Sequence, residues 1–362
     1  MYNRKNKKPK YVKRRTVEQI DADYIILLGQ RSNGKSFAVK ESVLIDAYQN
    51  DNHFGYLRRY DEDTKDYMCI EYFNDFIPDK LLEITNGEYD NIMVYRKGIF
   101  FAVTEPDTGK LIRGKQIGNV FSLATYERYK SRMFPKITTL IYEEFITDGY
   151  YLPSESKKLF SLVSSIARLR KIKVYCIGNT ISRICPYFNE WQLVNIPKQK
   201  IGTIEMYTVK DTDTNTDVKI AVYLTDTMRF NSGMFFGNSA KSIVSGMWET
   251  DEHPHIIGKK EDYNTIYTLV FLYDKNMFLC EFLQSKKEPN NFTWFISPKN
   301  TPIQDNTRIV SNKYIFNPLA TVGFTPLNAN ENKIFSYIRN KKICFSDNLT
   351  GTEFYQCLKM LR

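Results

Sequence analysis

Apolar runs of strand length alternate with helical patterns over the first half of the chain. Tyr24–Leu28 (YIILL) is an unbroken apolar run, as expected of a strand buried on both faces. Lys35–Asn50 then reads as a helix and Phe54–Leu57 as a second strand. Asn91–Tyr95 and Ile99–Val103 predict a hairpin about Arg96-Lys97-Gly98. Thr138–Tyr142 (TTLIY) predicts another buried strand, closed by two acids. Ser154–Arg170 sets Leu159, Phe160, Val163, Ile166 and Ala167 at helical spacing behind Pro153-Ser154, an N-terminal cap signal. Lys173–Ile177 (KVYCI) predicts a further strand. Strands alternating with helices imply an α/β fold built on a mostly parallel sheet.

The pattern changes near residue 200. Gly202–Lys210 and Lys219–Thr225 are predicted strands around the polar stretch Asp211–Asp217, and Phe230–Ser245, rich in Gly, Ser and Asn, reads as a linker or mobile loop. Thr265–Tyr273, Met277–Gln284 and Phe292–Ile296 predict a meander turning at Asp274-Lys275-Asn276, and Asn330–Lys342 and Thr352–Leu361 predict helices. The expected organisation is a flexible arm over 1–15, an α/β domain over 16–200, connecting strands and a linker over 201–245, and a smaller α+β domain over 246–362. No internal repeat is present.

Charge refines this picture. The net charge is +10 and the pI about 9.0. The first fifteen residues carry eight basic side chains and no acid, leaving 43 basic against 41 acidic residues over the rest. A nearly neutral body with a basic arm is unlike a histone-like protein coated in positive charge. The arm reads equally as a solvated tail or as a nucleic-acid contact. With 42% hydrophobic residues, 14% of the chain aromatic, the protein can bury a core. No apolar run approaches the roughly 20 residues of a membrane span, so no membrane partner is expected. Six scattered cysteines without a CxxC pair suit reduced thiols in a cytosolic compartment, and three histidines give little material for a zinc site or a His-based hydrolase.

Gly29-Gln30-Arg31-Ser32-Asn33-Gly34-Lys35-Ser36 matches GxxxxGK[ST] between a strand and a helix. In that setting backbone N–H groups wrap phosphates at the positive end of the helix, Lys35 reaches the β- and γ-phosphates, and Ser36 ligates Mg²⁺. The expected cofactors are therefore ATP and Mg²⁺. Glu143-Glu144 closes the strand TTLIY. One carboxylate there binds Mg²⁺, directly or through water, and the next can polarise the attacking water. Arg168 and Arg170 close the predicted helix, where the helix dipole favours them; either is also a candidate arginine finger for a neighbouring subunit's site. Asn179, after KVYCI, is a candidate γ-phosphate sensor or an ordinary turn residue. Arg58 and Arg59 precede Asp61, Glu62 and Asp63 and read as a local salt-bridged loop. Arg128, Lys130 and Arg132, interleaved with Tyr126 and Tyr129, suit a nucleic-acid-tracking loop or a solvated face.

Four of these stretches occur together: GQRSNGKS (29–36), GYLRRY (55–60), IYEEFI (141–146) and CIGNTISRICPYF (176–188). In this order and spacing they resemble the DNA-packaging ATPases of small tailed bacteriophages of the phi-29 type, over about residues 24–190. The resemblance implies a P-loop ring ATPase of the additional-strand, catalytic-glutamate class. It implies a homopentamer at the portal of a procapsid that drives double-stranded DNA inward, acting in the host cytoplasm and absent from the mature virion. A structural RNA between protein and portal is left open. Carried over residue by residue, Lys35 and Ser36 match the nucleotide and Mg²⁺ pair, Glu144 the catalytic glutamate and Lys130 a basic residue associated with DNA or the adjacent site. Arg168 falls at the trans-acting arginine, with Arg170 still open. One departure stands out: the family's Mg²⁺-associated Asp is here Glu143.

The resemblance also implies a second domain like an RNase H-like nuclease that has lost its catalytic acids. Asp274 sits at a hairpin turn and Glu281 on the next strand, with no further acids forming an obvious two-metal cluster. No nuclease activity is expected. The competing readings are a nuclease-competent large terminase or a DNA helicase and, more distantly, a small-molecule kinase.

Overall fold

A computed structural model describes residues 11–147, 149–210, 216–226 and 251–361. These residues divide into two compact units. The first takes most of the chain up to Asp226; the second takes residues 251–361 together with residues 149–150 and the segment Ser182–Cys185.

The first unit is a mixed α/β fold around a large, mostly parallel sheet. Its strands are β1 (Tyr24–Gly29), β2 (His53–Arg58), β3 (Asn91–Tyr95), β4 (Gly98–Thr104), β5 (Leu111–Ser122), β6 (Ile137–Glu143), β7 (Lys173–Asn179), β8 (Thr203–Lys210) and β9 (Asp217–Leu224), in the order β3-β4-β5-β2-β6-β7-β1-β9-β8. The six strands from β5 to β9 in that order are parallel; β3 and β4 add antiparallel to one edge and β8 to the other. β1 is buried along Ile25–Gly29, as its unbroken apolar run requires. The chain leaves β1 through the helix α2 (Lys35–Asn50), which follows a short α1 (Arg14–Glu18), and passes over two strand positions to reach β2. That leaves the carboxyl ends of β1, β7 and β6 side by side, the place where open parallel sheets bind ligands.

Two short helices, α3 (Asp66–Glu71) and α4 (Asp79–Ile84), lie between β2 and β3, and neither they nor the long β5 has a clear signature in the sequence. α5 (Glu155–Ala167) ends three residues before Arg170, where the expected helix stops. Its predicted cap also differs: Ser154 has φ 51° and makes no side-chain cap bond. The Glu155 carboxylate instead accepts from the Leu152 N–H at 2.7 Å. α6 (Pro186–Glu190) follows β7.

The structure corrects both margins of the expected 16–200 domain. Residues 203–224, expected as connecting strands, complete the first sheet: Tyr24–Leu28 pairs with Ile220–Leu224 in parallel. In the expected arm, Val12 is buried and Arg14–Glu18 is helical. Residues 1–10 and the expected linker Phe230–Ser245 lie outside the described residues.

The second unit carries a six-stranded sheet in the order β14-β13-β10-β11-β12-β15. The strands are β10 (Tyr263–Tyr273), β11 (Asn276–Ser285), β12 (Phe292–Pro298), β13 (Ile309–Ser311), β14 (Ala320–Val322) and β15 (Ile343–Phe345). β10–β12 form the predicted antiparallel meander, while β13, β14 and β15 add in parallel. The two expected helices are α7 (Ala329–Arg339) and α8 (Asn348–Met360), both shifted toward the N-terminus by their caps: Asn328 accepts from Glu331 N–H and Asp347 from Thr350 N–H. Trp294, Phe335, Phe345 and Phe354 fill the core of this unit, and Ile184 joins it.

Candidate functional site

β1 ends at Gly29 and α2 begins at Lys35, so Gln30–Gly34 must reverse the backbone in a few residues. Ser32 (φ 58°) and Gly34 (φ 87°) take the left-handed conformations that this needs. Gly29 serves a different purpose. A Cβ there would lie 2.0 Å from Thr225 Oγ1, and Thr225 braces the loop by accepting from Asn33 Nδ2 at 2.5 Å and donating to Leu28 O at 2.9 Å. The Lys35 ammonium is buried and donates to Gly29 O, Gln30 O, Asn33 Oδ1 and Asn179 Oδ1 at 3.1, 2.6, 3.1 and 3.3 Å. Burial lowers it to about 8, with Glu143 opposing the shift. Asn179 stands opposite Gly29 in the β1–β7 register, which is why it reaches Lys35.

The two acids that close β6 have different surroundings. Glu143, in register with Ile177 of β7, is buried; burial raises its carboxyl above the usual range, while the Tyr72 and Ser36 hydroxyls oppose the shift. Tyr72 OH donates to Glu143 Oε1 at 2.7 Å. Glu144 lies one residue beyond the strand at φ 54° and is 66% exposed, with its Oε2 accepting from Arg58 at 2.7 Å. A non-glycine residue in this region is strained, and such residues cluster at functional sites.

Arg58 and Arg59 do not form the self-contained loop expected of them. Arg58 lies 3.7 Å from Asp63 but bonds Glu144 more closely. Arg59 is buried, paired with Glu155 through Nε at 2.9 and 3.2 Å, and donates to Glu144 O and Phe145 O at 2.9 and 2.6 Å. Glu155 also accepts from the hydroxyls of Tyr142 and Tyr187, both at 2.8 Å. This buried charge network fixes the turn that carries Glu144.

Arg168 takes φ 51° just past α5 and donates to Lys130 O and Arg132 O at 2.9 and 3.3 Å, on an exposed surface. Arg170 donates to three backbone carbonyls of its own chain, Ile137, Phe134 and Ile166, at 2.9, 2.8 and 3.0 Å. Two basic residues of the Tyr126–Phe134 segment lie against its rings, Lys130 over Tyr126 at 5.1 Å and Arg132 over Phe134 at 5.3 Å, while Arg128 lies 3.7 Å from Asp61.

A cavity of about 820 Å³ lies over the strand ends. Its walls include Arg31, Ser32, Asn33, Gly34, Lys35, Ser36, Glu143, Glu144 and Asn179. Gly29, Gln30, Lys130 and Arg168 do not line it. Tyr11–Arg14 does line it, which is a second correction to the arm. The Val12 N–H donates to Asn33 O at 3.0 Å, so this segment is tied to the glycine-rich loop. Sequence reasoning missed Tyr11, Tyr72, Glu155 and Thr225. Only Tyr11 had a signal, an aromatic next to a valine at the end of a basic run.

In the second unit Asp274 accepts from Asn312 at 3.0 Å and pairs with Lys313 at 2.5 Å, and Glu281 pairs with Lys260 at 2.5 Å. Among the described residues no group of three or more His, Cys, Asp or Glu side chains is arranged to hold a metal ion.

Comparison with known proteins matches residues 11–219 to the family described as podovirus DNA encapsidation protein (Gp16). A DNA packaging protein of Bacillus phage B103 is 30% identical over 172 residues, 46% of this chain and 47% of that protein, so the match spans about half of that relative's length. A DNA packaging protein of Bacillus phage PZA is 23% identical over 249 residues, 68% of each chain. The fold resembles that of a chain in the bacteriophage Phi-29 viral genome packaging motor assembly, with a TM-score of 0.57 and 18% identity over 98% of this chain and 100% of that one. With more than half of its length matched, the chain belongs to the podovirus DNA encapsidation protein family.

Proposed function

We propose that this protein is an ATP-hydrolysing motor that drives double-stranded DNA into a procapsid as a ring of identical subunits, a pentamer docked on the portal in the host cytoplasm. The observation that carries this reading is the cavity where Lys35, Ser36, Glu143, Glu144 and Asn179 converge from the ends of β1, β6 and β7. The strand order supports the additional-strand class of P-loop ATPases, because β7 stands between the loop-bearing β1 and the acid-bearing β6.

The residues fit a nucleoside triphosphate with a hard divalent cation. Backbone N–H groups at the start of α2 and the Lys35 ammonium bind phosphate oxygens. Ser36 and Glu143 supply oxygen donors of the kind that Mg²⁺ prefers. Mg²⁺, when bound, neutralises charge on the β- and γ-phosphates. Glu144 takes the proton of the attacking water on its second oxygen, while the Arg58 bond to Oε2 restrains where the side chain can turn. Asn179, already bonded to Lys35, follows the γ-phosphate that Lys35 reaches. Arg168 stands outside its own cavity on an exposed surface, and serves the site of the next subunit. Arg168 makes two exposed bonds to its own backbone and Arg170 three part-buried ones, which makes Arg170 the weaker candidate. Arg128, Lys130 and Arg132 form the basic segment that meets DNA phosphates, the last two backed by aromatic rings.

In the second unit an antiparallel meander is extended in parallel by β13 and β14 beside β10, which supports an RNase H-like fold. Asp274 and Glu281 are both neutralised by lysines, which supports the reading that this unit does not cleave DNA.

Two measurements test the proposal. ATP hydrolysis with and without double-stranded DNA, alongside oligomeric mass, is expected to show a DNA-stimulated ring. Mixing Glu144→Gln subunits with Arg168→Ala subunits is expected to restore part of the ATPase activity that each lacks. Turnover insensitive to DNA would refute the motor, and a mixture as inactive as its parents would refute the shared site.

A further inference from the structure

Tyr72 lies immediately after α3, in a part of the chain with no motif, yet its hydroxyl is aimed at Glu143 Oε1 at 2.7 Å. Its ring is gripped from two other elements. Tyr56 of β2 stacks on it with ring centroids 4.4 Å apart and planes inclined by 27°. The Lys40 ammonium of α2 lies 4.5 Å from its centroid and donates to Tyr72 O at 2.6 Å. Lys40 is itself buried and paired with Asp75 at 2.5 Å. The phenol is thus held by packing that does not depend on Glu143.

A glutamate has one more side-chain torsion than an aspartate. At the end of β6 that extra freedom lets the carboxylate swing through more positions, and a bound cation must then freeze it. A fixed donor on one oxygen removes this cost, as partners behind metal-binding carboxylates commonly do. We propose that Tyr72 is a positioning residue for Glu143, holding its carboxylate in the one orientation that serves a divalent cation bound with the nucleotide. This rests on the reading of Glu143 as the metal-associated acid.

The test is the binding of a fluorescent ATP analogue to the full-length protein, titrated with Mg²⁺ and repeated in EDTA. Tyr72→Phe keeps the ring, and with it the Tyr56 stack and the Lys40 contact. It is expected to leave binding in EDTA unchanged and to raise the half-saturating Mg²⁺ concentration about 10-fold, the lower end for loss of such a partner. Glu143→Gln is expected to abolish the Mg²⁺-dependent gain, and Tyr72→Phe in that background to add nothing. If Glu143→Gln removes the gain and Tyr72→Phe keeps the wild-type Mg²⁺ dependence, the positioning role is overturned. Tyr72→Phe weakening binding equally in EDTA and Mg²⁺ overturns it in favour of a general packing role. If Glu143→Gln leaves Mg²⁺ dependence intact, the metal reading of Glu143 itself falls.

Discussion

Removing Arg58 should release the proposed base. Glu144 Oε2 accepts from Arg58 at 2.7 Å, and this bond restrains the side chain from turning its other oxygen to the water. The size of the restraint follows from exposure. The Glu144 side chain is 66% exposed and that of Arg58 is 19% exposed, so the pair is well screened. Exposed ion pairs contribute about 0.2–1 kcal/mol, and 1 kcal/mol corresponds to about a five-fold change in population. Arg58→Ala is therefore expected to raise DNA-free ATP hydrolysis by up to about five-fold and to shrink the stimulation by DNA by the same factor. Steady-state phosphate release at saturating MgATP, with and without double-stranded DNA, measures both. Arg58→Ala combined with Glu144→Gln should stay inactive, because the added turnover passes through Glu144. A basal rate that falls ten-fold in Arg58→Ala would refute the reasoning and make Arg58 a support of the working position.

Three further outcomes follow from the geometry. Glu155→Ala strips the partner from the buried Arg59 guanidinium and from two tyrosine hydroxyls, and should cost about 3–5 kcal/mol in denaturant unfolding of the first unit; a loss under 1 kcal/mol would deny the network its structural role. Deleting residues 1–10 should spare basal ATPase, whereas deleting 1–15 removes the wall formed by Tyr11–Arg14 and should weaken ATP binding; equal binding by the two truncations would put Tyr11–Arg14 outside the site. Burial lowers Lys35 to about 8, so the fraction carrying the charge that phosphate needs falls as pH rises through that value. ATP affinity should therefore drop about ten-fold from pH 7 to pH 9, with proton uptake on binding near pH 9; a flat profile would show that Lys35 keeps its charge.

How much of this was legible depends on sequence distance. The glycine-rich loop was legible because strand, turn and helix are contiguous: each residue's place follows from its neighbours, and its brace, Thr225, lies 192 positions away. The buried strands were legible from unbroken apolar runs, since strands covered on both faces need no alternation. β5 escaped because Leu111–Ser122 carries Arg113, Gly114, Lys115 and Gln116 in its exposed half. The arm was misjudged for a related reason. Its charge marks it as solvated, but one apolar side chain, Val12, and one backbone hydrogen bond tie its end to the loop.

Glu143-Glu144 shows the limit most clearly. In sequence the two residues are the same, and only their order after the strand and the resemblance distinguish the expected metal-associated acid, Glu143, from the expected base, Glu144. The structure adds a difference in burial and partner. Glu143 is still in β6, where alternation places it on the face opposite Tyr142, toward a tyrosine 71 positions away. Glu144 has left the strand with φ 54° and faces solvent against an arginine 86 positions away. Both partners come from the stretch between residues 58 and 72, at and beyond the end of β2, so one segment governs both acids. A shift of that segment would change metal affinity through Tyr72 and release of the base through Arg58 together. The doubly substituted protein, Arg58→Ala with Tyr72→Phe, should accordingly show the raised Mg²⁺ requirement and the raised basal turnover at once, but not as a simple sum. Tyr56 hydrogen-bonds Arg58 and stacks on Tyr72, and substitutions that share a neighbour couple. Two effects each at the size seen in its single variant would refute the shared segment.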